Sequence, residues 1–213
     1  MIKTIVVEDN QYMLQHFINL LESDGRFNII GAFADAFEAE KACKNAGVDL
    51  VLMDVQTNHN HSGVAAGARI RKNSKAKVVV VTSLIDPDVL AAAKKGGADS
   101  LWYKDHGDSE LVDVIIRTLD GENIFPDAAP NVELKNMFSN DISPRQIQIL
   151  HCFVRGMTYD EISAQIGISK NGVRWNLDQI VEKGGFSNKH ELLAAVIENK
   201  LIVTTLKDNV SEE

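Results

Sequence analysis

Leu50-Val51-Leu52-Met53-Asp54 and Val78-Val79-Val80-Val81-Thr82-Ser83 are the stretches that decide the fold. Each is a short apolar run that breaks into polar residues at its C-terminal end. Runs so brief and so uniformly apolar read as strands buried on both faces. Working outward, Ile5-Val6-Val7, Phe27 to Ala32 and Ser100 to Tyr103 complete a set of five. Between them lie segments with helical spacing. Met13, Phe17, Leu20 and Leu21 repeat at i, i+4, i+7 and i+8, and further helices are expected over about 35–46, 62–72, 87–95 and 108–119. Strands alternating with helices make parallel βαβ units. The expected fold of residues 1–120 is α/β: a five-stranded, doubly wound parallel sheet.

The pattern changes after Leu119. Residues 121–140 carry Pro126 and Pro130 and read as a linker, with a helical turn or two expected over Val132 to Phe138. From Ser143 the signal is purely helical, opened by Ser143-Pro144, an N-cap with proline at the first helical position. Helices of about 144–155, 159–166, 170–183 and 188–199 are separated by Gly156, Gly167 and Gly184-Gly185. A small all-α domain is therefore expected over 141–203, with an acidic tail over 204–213.

Composition bounds the function. The 213 residues suit two small domains, and 45% apolar with 24% charged residues is an ordinary globular balance. No apolar run approaches the roughly 18 residues of a membrane span. Met1 to Asp9 has the wrong shape for a signal peptide, so a cytoplasmic location without membrane association is expected. Cys43 and Cys152 lie far apart in apolar company and read as core packing. The net charge of −8 argues against a protein that coats nucleic acid indiscriminately. Residues 145–189, with 6 Lys+Arg against 4 Asp+Glu, are mildly basic.

In an open parallel sheet, ligands bind beyond the carboxyl ends of the strands. Strand one ends in Glu8-Asp9, strand three in Asp54, strand four in Thr82-Ser83 and strand five in Tyr103-Lys104. Three carboxylates, a hydroxyl and an ammonium thus converge. Clustered acids repel, and a hard divalent cation with oxygen ligands, Mg²⁺, relieves that repulsion. Such a site suits phosphoryl transfer onto a carboxylate nucleophile, with the cation and Lys104 neutralising the phosphoryl oxygens. His59 and His61 stand at i, i+2 in a polar loop. With no third ligand nearby in sequence, they read as a solvated loop rather than as a zinc site.

The motifs Val6-Val7-Glu8-Asp9, Leu52-Met53-Asp54, Val81-Thr82-Ser83 and Gly97-Ala98-Asp99 leading to Lys104-Asp105 resemble the receiver domain of bacterial two-component response regulators. The resemblance implies Asp54 as phosphoacceptor, Glu8, Asp9 and Asp54 around Mg²⁺, Thr82 as sensor of the phosphoryl group and Lys104 as its partner. Two departures stand out. The family's proline after the acceptor is missing, and its glycine arrives one position late, at Gly63. The aromatic partner of the switch threonine is replaced by Leu101, with aromatics at Trp102 and Tyr103 instead.

Helix 159–166, a turn at Gly167-Ile168 and helix 170–183 have helix-turn-helix spacing. The second helix would place Lys170, Asn171, Arg174 and Asp178 toward DNA, while Val173, Leu177 and Ile180 face a core. The pattern alone fits a helical bundle with no DNA role equally well. Ile142-Ser143-Pro144-Arg145, Gly156-Met157-Thr158, Glu161-Ile162-Ser163, Ile166-Gly167-Ile168-Ser169, Val173-Arg174 and Lys183 resemble the LuxR-type DNA-binding domain. Gln146, Gly172, Trp175, Asn176 and Gly184 depart from its usual residues. Trp175 is large enough to meet a thymine methyl or a sugar, and Lys183 joins the DNA-facing set.

Both motif sets in this order resemble the NarL/FixJ-type response regulators. The resemblance implies a non-enzymatic transcription factor, phosphorylated on Asp54 by a partner sensor histidine kinase and binding promoter DNA as a homodimer. One alternative is a phosphorylation-independent DNA-binding regulator, motivated by Leu101 and the altered loop. Another is a phosphohydrolase using Asp54, against which Gln56 stands where such enzymes carry a second Asp.

Overall fold

The computed structural model describes residues 1–44 and 47–203. The acidic tail expected over 204–213 lies outside the described residues, as does the end of the helix expected to reach residue 46. Two compact units divide the described residues: Met1–Ser83 with Asp88–Ala128, and Leu84–Pro87 with residues 129–203.

The first unit is a five-stranded parallel sheet in the order β2-β1-β3-β4-β5. Its strands are β1 (Ile2–Val7), β2 (Phe27–Phe33), β3 (Leu50–Asp54), β4 (Lys77–Thr82) and β5 (Ser100–Tyr103). The helices between them are α1 (Gln11–Asp24), α2 (Ala36–Cys43), α3 (Gly63–Asn73) and α4 (Pro87–Ala92), which ends in a wide π turn over Ala93–Gly97, and α5 (Asp108–Leu119) follows β5. Every residue of β3 is buried, as its unbroken apolar run requires.

Right-handed crossovers put helices on opposite faces wherever the chain reverses its direction across the sheet. Strand order reverses between β1 and β3. Leu14, Phe17 and Leu21 of α1 and Leu111, Val114 and Ile115 of α5 share one core with Val6, Leu52, Val81 and Trp102. Leu101 and Tyr103, at the alternate positions of β5, point to the other face and are equally buried. The β5 edge is covered by residue 124: Leu101 N–H donates to Ile124 O at 2.9 Å, and Ile124 N–H donates to Ser100 Oγ at 2.9 Å.

The second unit opens on an antiparallel ribbon, β6 (Glu133–Leu134) and β7 (Met137–Phe138), and continues with α6 (Pro144–Val154), α7 (Tyr159–Ile166), α8 (Lys170–Gly184) and α9 (Lys189–Glu198). The ribbon corrects the helical turn expected over Val132 to Phe138. Lys135 sits at φ 60, so the chain reverses after two strand residues. Leu134 and Met137 pair across the ribbon and are buried, while Glu133 and Phe138 point out. An alternation spanning only two residues on each side is too short to reveal a period in sequence.

No helix among the described residues is long and apolar enough to cross a membrane. Cys43 and Cys152 are both buried and free. Burial, with Glu40 beside it, pushes the Cys43 thiol up to about 11, as an inert packing residue requires.

Candidate functional site

The reversal of strand order between β1 and β3 opens the crevice at which Glu8, Asp9 and Asp54 meet. One carboxylate oxygen from each lies within 4.8 Å of the others. Glu8 and Asp54 are buried and Asp9 is exposed, so the trio is open to solvent on one side only. Asp54 is the last residue of β3. Its Oδ1 accepts the Val55 N–H at 2.7 Å. Its Oδ2 lies 3.0 Å from Lys104 Nζ, which also donates to Glu8 Oε2 at 2.7 Å. Lys104 follows β5 directly and is fixed by its own backbone, its N–H donating to Thr82 O at 2.9 Å. Asp54 pairs with Val81 in the β3–β4 register, so buried Thr82 stands one residue beyond it on the neighbouring strand.

The electrostatics are unbalanced. Burial, aided by Glu8, raises the Asp54 carboxyl to about 7, although Lys104 pulls it down. Burial works against the Lys104 ammonium, but Asp54 and Glu8 outweigh it and hold its pKa above the ordinary value. One ammonium facing two buried carboxylates and an exposed third leaves uncompensated negative charge. The donor set, three carboxylates and no nitrogen or sulfur, fits a hard cation such as Mg²⁺.

The loop from Val55 to Ser62 absorbs the glycine that arrives one position late. Gln56 and Ser62 form an isolated antiparallel bridge, and a tight turn over Asn58–Asn60 closes the loop. Gly63 N–H then donates to Val55 O at 2.9 Å. A Cβ on Gly63 would sit 1.7 Å from the Asp54 carbonyl oxygen. The glycine is thus required by close approach to the Asp54 backbone.

The same loop keeps His59 solvated, as expected, but gives both histidines a partner that their spacing did not show. The two rings converge on Asp35, the N-cap of α2. His59 Nδ1 lies 2.8 Å from Asp35 Oδ2, and His61 Nδ1 lies 2.9 Å from the same oxygen. Burial alone would raise the Asp35 carboxyl. The hydrogen bonds with His59 and His61 and the amides of Glu38 and Phe37 outweigh it and hold Asp35 below its ordinary value. Twenty-odd residues separate the partners, so sequence spacing gave no signal beyond the N-cap position itself.

In the helical unit, Thr158 and Glu161 form a reciprocal capping box at the start of α7, and Gly167 ends that helix at φ 73. Gln146 completes a capping box at the start of α6, its Oε1 accepting the Ser143 N–H at 2.9 Å. Val173, Leu177 and Ile180 are buried, which turns the opposite face of α8 outward. Asn171, Arg174 and Trp175 are exposed there, and among the described residues no hydrogen bond or ion pair ties Arg174 down. Lys170 pairs with Asp160 at 2.7 Å, Asp178 with Lys189, and Lys183 with Asp141 at 2.9 Å. Lys183 stands in the last turn of α8, remote from its N-terminal end.

Two unusual glycines now have reasons. Gly172 lies in the first turn, not in the helix interior, and its N–H is capped by Ser169 Oγ at 3.0 Å. Gly184 leaves room for the Phe186 ring, which would lie 2.2 Å from a Cβ there.

Two family patterns match the chain. The response regulator receiver domain covers residues 4–116, and the luxR family of bacterial regulatory proteins covers residues 140–196. Among curated relatives, the uncharacterized transcriptional regulatory protein YvfU of Bacillus subtilis is 25% identical, over 94% of this chain and 98% of its own length. The transcriptional regulatory protein DesR of the same organism is 24% identical, over 91% and 95%. Among solved structures, RcsB of Salmonella enterica serovar Typhimurium, bound to promoter rprA with the phosphomimetic BeF3−, is 18% identical. It has a TM-score of 0.60 over 92% of this chain and 98% of that one.

Proposed function

Because the chain belongs to the two-component response regulators that join a receiver domain to a LuxR-type DNA-binding domain, we propose that it is a transcription factor switched by phosphorylation of Asp54. The convergence of Glu8, Asp9, Asp54 and Lys104 at the reversal of the sheet carries this reading. In the proposed transfer, an Asp54 oxygen attacks the phosphorus of a phosphohistidine on a partner kinase. A P–O bond forms to Asp54 and the P–N bond breaks. The imidazole keeps the bonding pair and takes up a proton. Lys104 Nζ, already 3.0 Å from Asp54, pairs with the transferred phosphoryl oxygens. Glu8, Asp9 and Asp54 would hold Mg²⁺, which supplies positive charge to the phosphoryl oxygens when bound. Thr82, buried one strand position beyond the acceptor, is the proposed sensor of the added charge. The new charge, about −1.5 to −2, reorders the polar face beyond β4 and β5.

Asp9→Ala tests the ion site without disturbing the core, because Asp9 is exposed. Mg²⁺ affinity is expected to fall at least about tenfold, judged from losses seen when even outer-shell partners are removed. Phosphorylation by a small acyl phosphate should slow in parallel. Unchanged Mg²⁺ affinity by calorimetry would move the ion elsewhere.

Residues 141–203 are the proposed DNA reader, joined through the linker 121–140, with α8 in the major groove. Arg174, exposed one turn into α8, is the residue expected to read a base. Asn171 and Trp175 flank it. Lys170, Asp178 and Lys183 would first have to leave their pairs with Asp160, Lys189 and Asp141 to touch DNA. The mildly basic middle of this domain offers few phosphate contacts, so binding is proposed to need a homodimer on a two-fold-related site. Arg174→Ala is expected to cost roughly 1–3 kcal/mol if it holds guanine bidentately, with specificity relaxed at one position. A phosphate contact would instead weaken all duplexes evenly and reduce the salt slope by about one. Binding to a specific and a scrambled duplex at two salt concentrations distinguishes these. No loss on either would remove α8 from the groove.

A further inference from the structure

We propose that Asp35, His59 and His61 form a second metal site, for a divalent transition ion of the Zn²⁺ class, separate from the carboxylate trio around Asp54. Two segments supply it: the end of the β2–α2 connection gives Asp35, and the loop after β3 gives both histidines. One ligand atom from each of Asp35, His59 and His61 lies within 4.8 Å of the others. The two Nδ1 nitrogens stand 2.8 and 2.9 Å from Asp35 Oδ2. Ligands at about 2.0–2.2 Å around one tetrahedral ion are separated by roughly 3.3 Å, so both nitrogen–oxygen separations need to open by only a few tenths of an ångström to admit the ion.

The donor chemistry selects the class of ion. Two imidazole nitrogens with one carboxylate oxygen suit zinc and its first-row neighbours, whereas magnesium and calcium call for oxygen alone. Asp35 is pre-positioned, because its Oδ1 is held by the Phe37 and Glu38 amides at 2.8 and 3.2 Å and also lies 3.0 Å from His61 Nδ1, while Oδ2 meets both rings. The backbone is bent to present the rings. His59 and Asn60 occupy the left-handed region in succession, at φ 59 and 57. For His59 that conformation is costly, whereas asparagine adopts it more readily. A hydrogen bond from a ring whose side chain is 77% exposed offsets little of that cost. Backbone cost concentrated at one side chain points to a function for that side chain.

Exposure leaves the remaining coordination positions open to water, which makes the site exchangeable rather than purely structural. His61 also borders the cleft that Asp9, Val55 and Gln56 line, so a bound ion would brace the loop that leaves the phosphoacceptor.

The test uses the full-length protein stripped with a chelator and held in saturating Mg²⁺, so that the carboxylate trio does not compete. Zn²⁺ is titrated by calorimetry, and Co²⁺ by visible absorption, which reports nitrogen ligation in a low-coordinate site. About one ion per chain is expected. His59→Ala and His61→Ala should each weaken binding at least about tenfold, since loss of a direct ligand exceeds loss of an outer-shell partner. His59 is exposed, so circular dichroism of its metal-free variant should match wild type. No saturable Zn²⁺ uptake by wild type overturns the proposal. So does uptake that is undiminished in the His59→Ala/His61→Ala double variant, which would place the ion on other surface groups.

Discussion

Asp54→Asn is expected to abolish covalent phosphorylation and, at the same time, to stabilise the metal-free protein. The amide is nearly isosteric with the carboxylate but is not a nucleophile, so intact mass after incubation with an acyl phosphate and Mg²⁺ should show no added phosphoryl group. The stability gain follows from the buried charge. The Asp54 carboxyl rises from 3.8 to about 7 on folding, chiefly through burial. An acid whose pKa is raised by folding favours the native state at low pH and loses that favour as it ionises. The wild-type shortfall is therefore absent below about pH 4, builds as pH climbs toward 7 and is complete above it. Asparagine escapes it, and Lys104 keeps its 2.7 Å bond to Glu8 in the variant. The gain should be roughly 1–3 kcal/mol at pH 8 and smaller at pH 5. Thermal midpoints at the two pH values check this. A variant that still takes up phosphate at the wild-type rate would displace the acceptor. A gain no larger at pH 8 than at pH 5 would remove buried charge as its cause.

Gly63→Ala is expected to be among the most damaging single-methyl changes in the receiver unit. The new Cβ would fall 1.7 Å from Asp54 O and 2.9 Å from both Asp54 C and Met53 Cγ. Two of those three atoms are backbone at the end of a fully buried central strand, so no rotamer change relieves the clash. Either α3 lifts from the sheet or β3 shifts and carries Asp54 with it. A cost of about 3 kcal/mol or more is expected, at the top of the overpacking range, together with slowed phosphorylation. Gly25→Ala is the control. Gly25 has φ +76 but nothing within 4 Å of its Cβ, so only the local left-handed cost of about 1–2 kcal/mol applies. Denaturant midpoints for the two variants should separate clearly. If Gly63→Ala were no worse than Gly25→Ala, the close approach of α3 to Asp54 could not be the reason for the glycine.

The sheet was legible in the sequence because its central strands are buried on both faces, which forces the unbroken apolar runs Leu50–Met53 and Val78–Val81. The polar ends of strands one, three, four and five placed Glu8, Asp9, Asp54, Thr82 and Lys104 at one end of the sheet, since parallel strands deliver their carboxyl ends together. Helices α6 to α9 were legible from caps and glycines, which act within one turn of the chain. The rest depended on long-range contact. The Leu134–Met137 ribbon is too short to carry a period. Gly184 makes sense only beside Phe186, and Gly63 only against Asp54 O. His59 and His61 read as a polar loop until folding brings Asp35 to them from beyond β2. Local backbone preferences and burial patterns are written along the chain. Which side chains share an oxygen atom across the fold is decided by packing, and only the tertiary structure shows it.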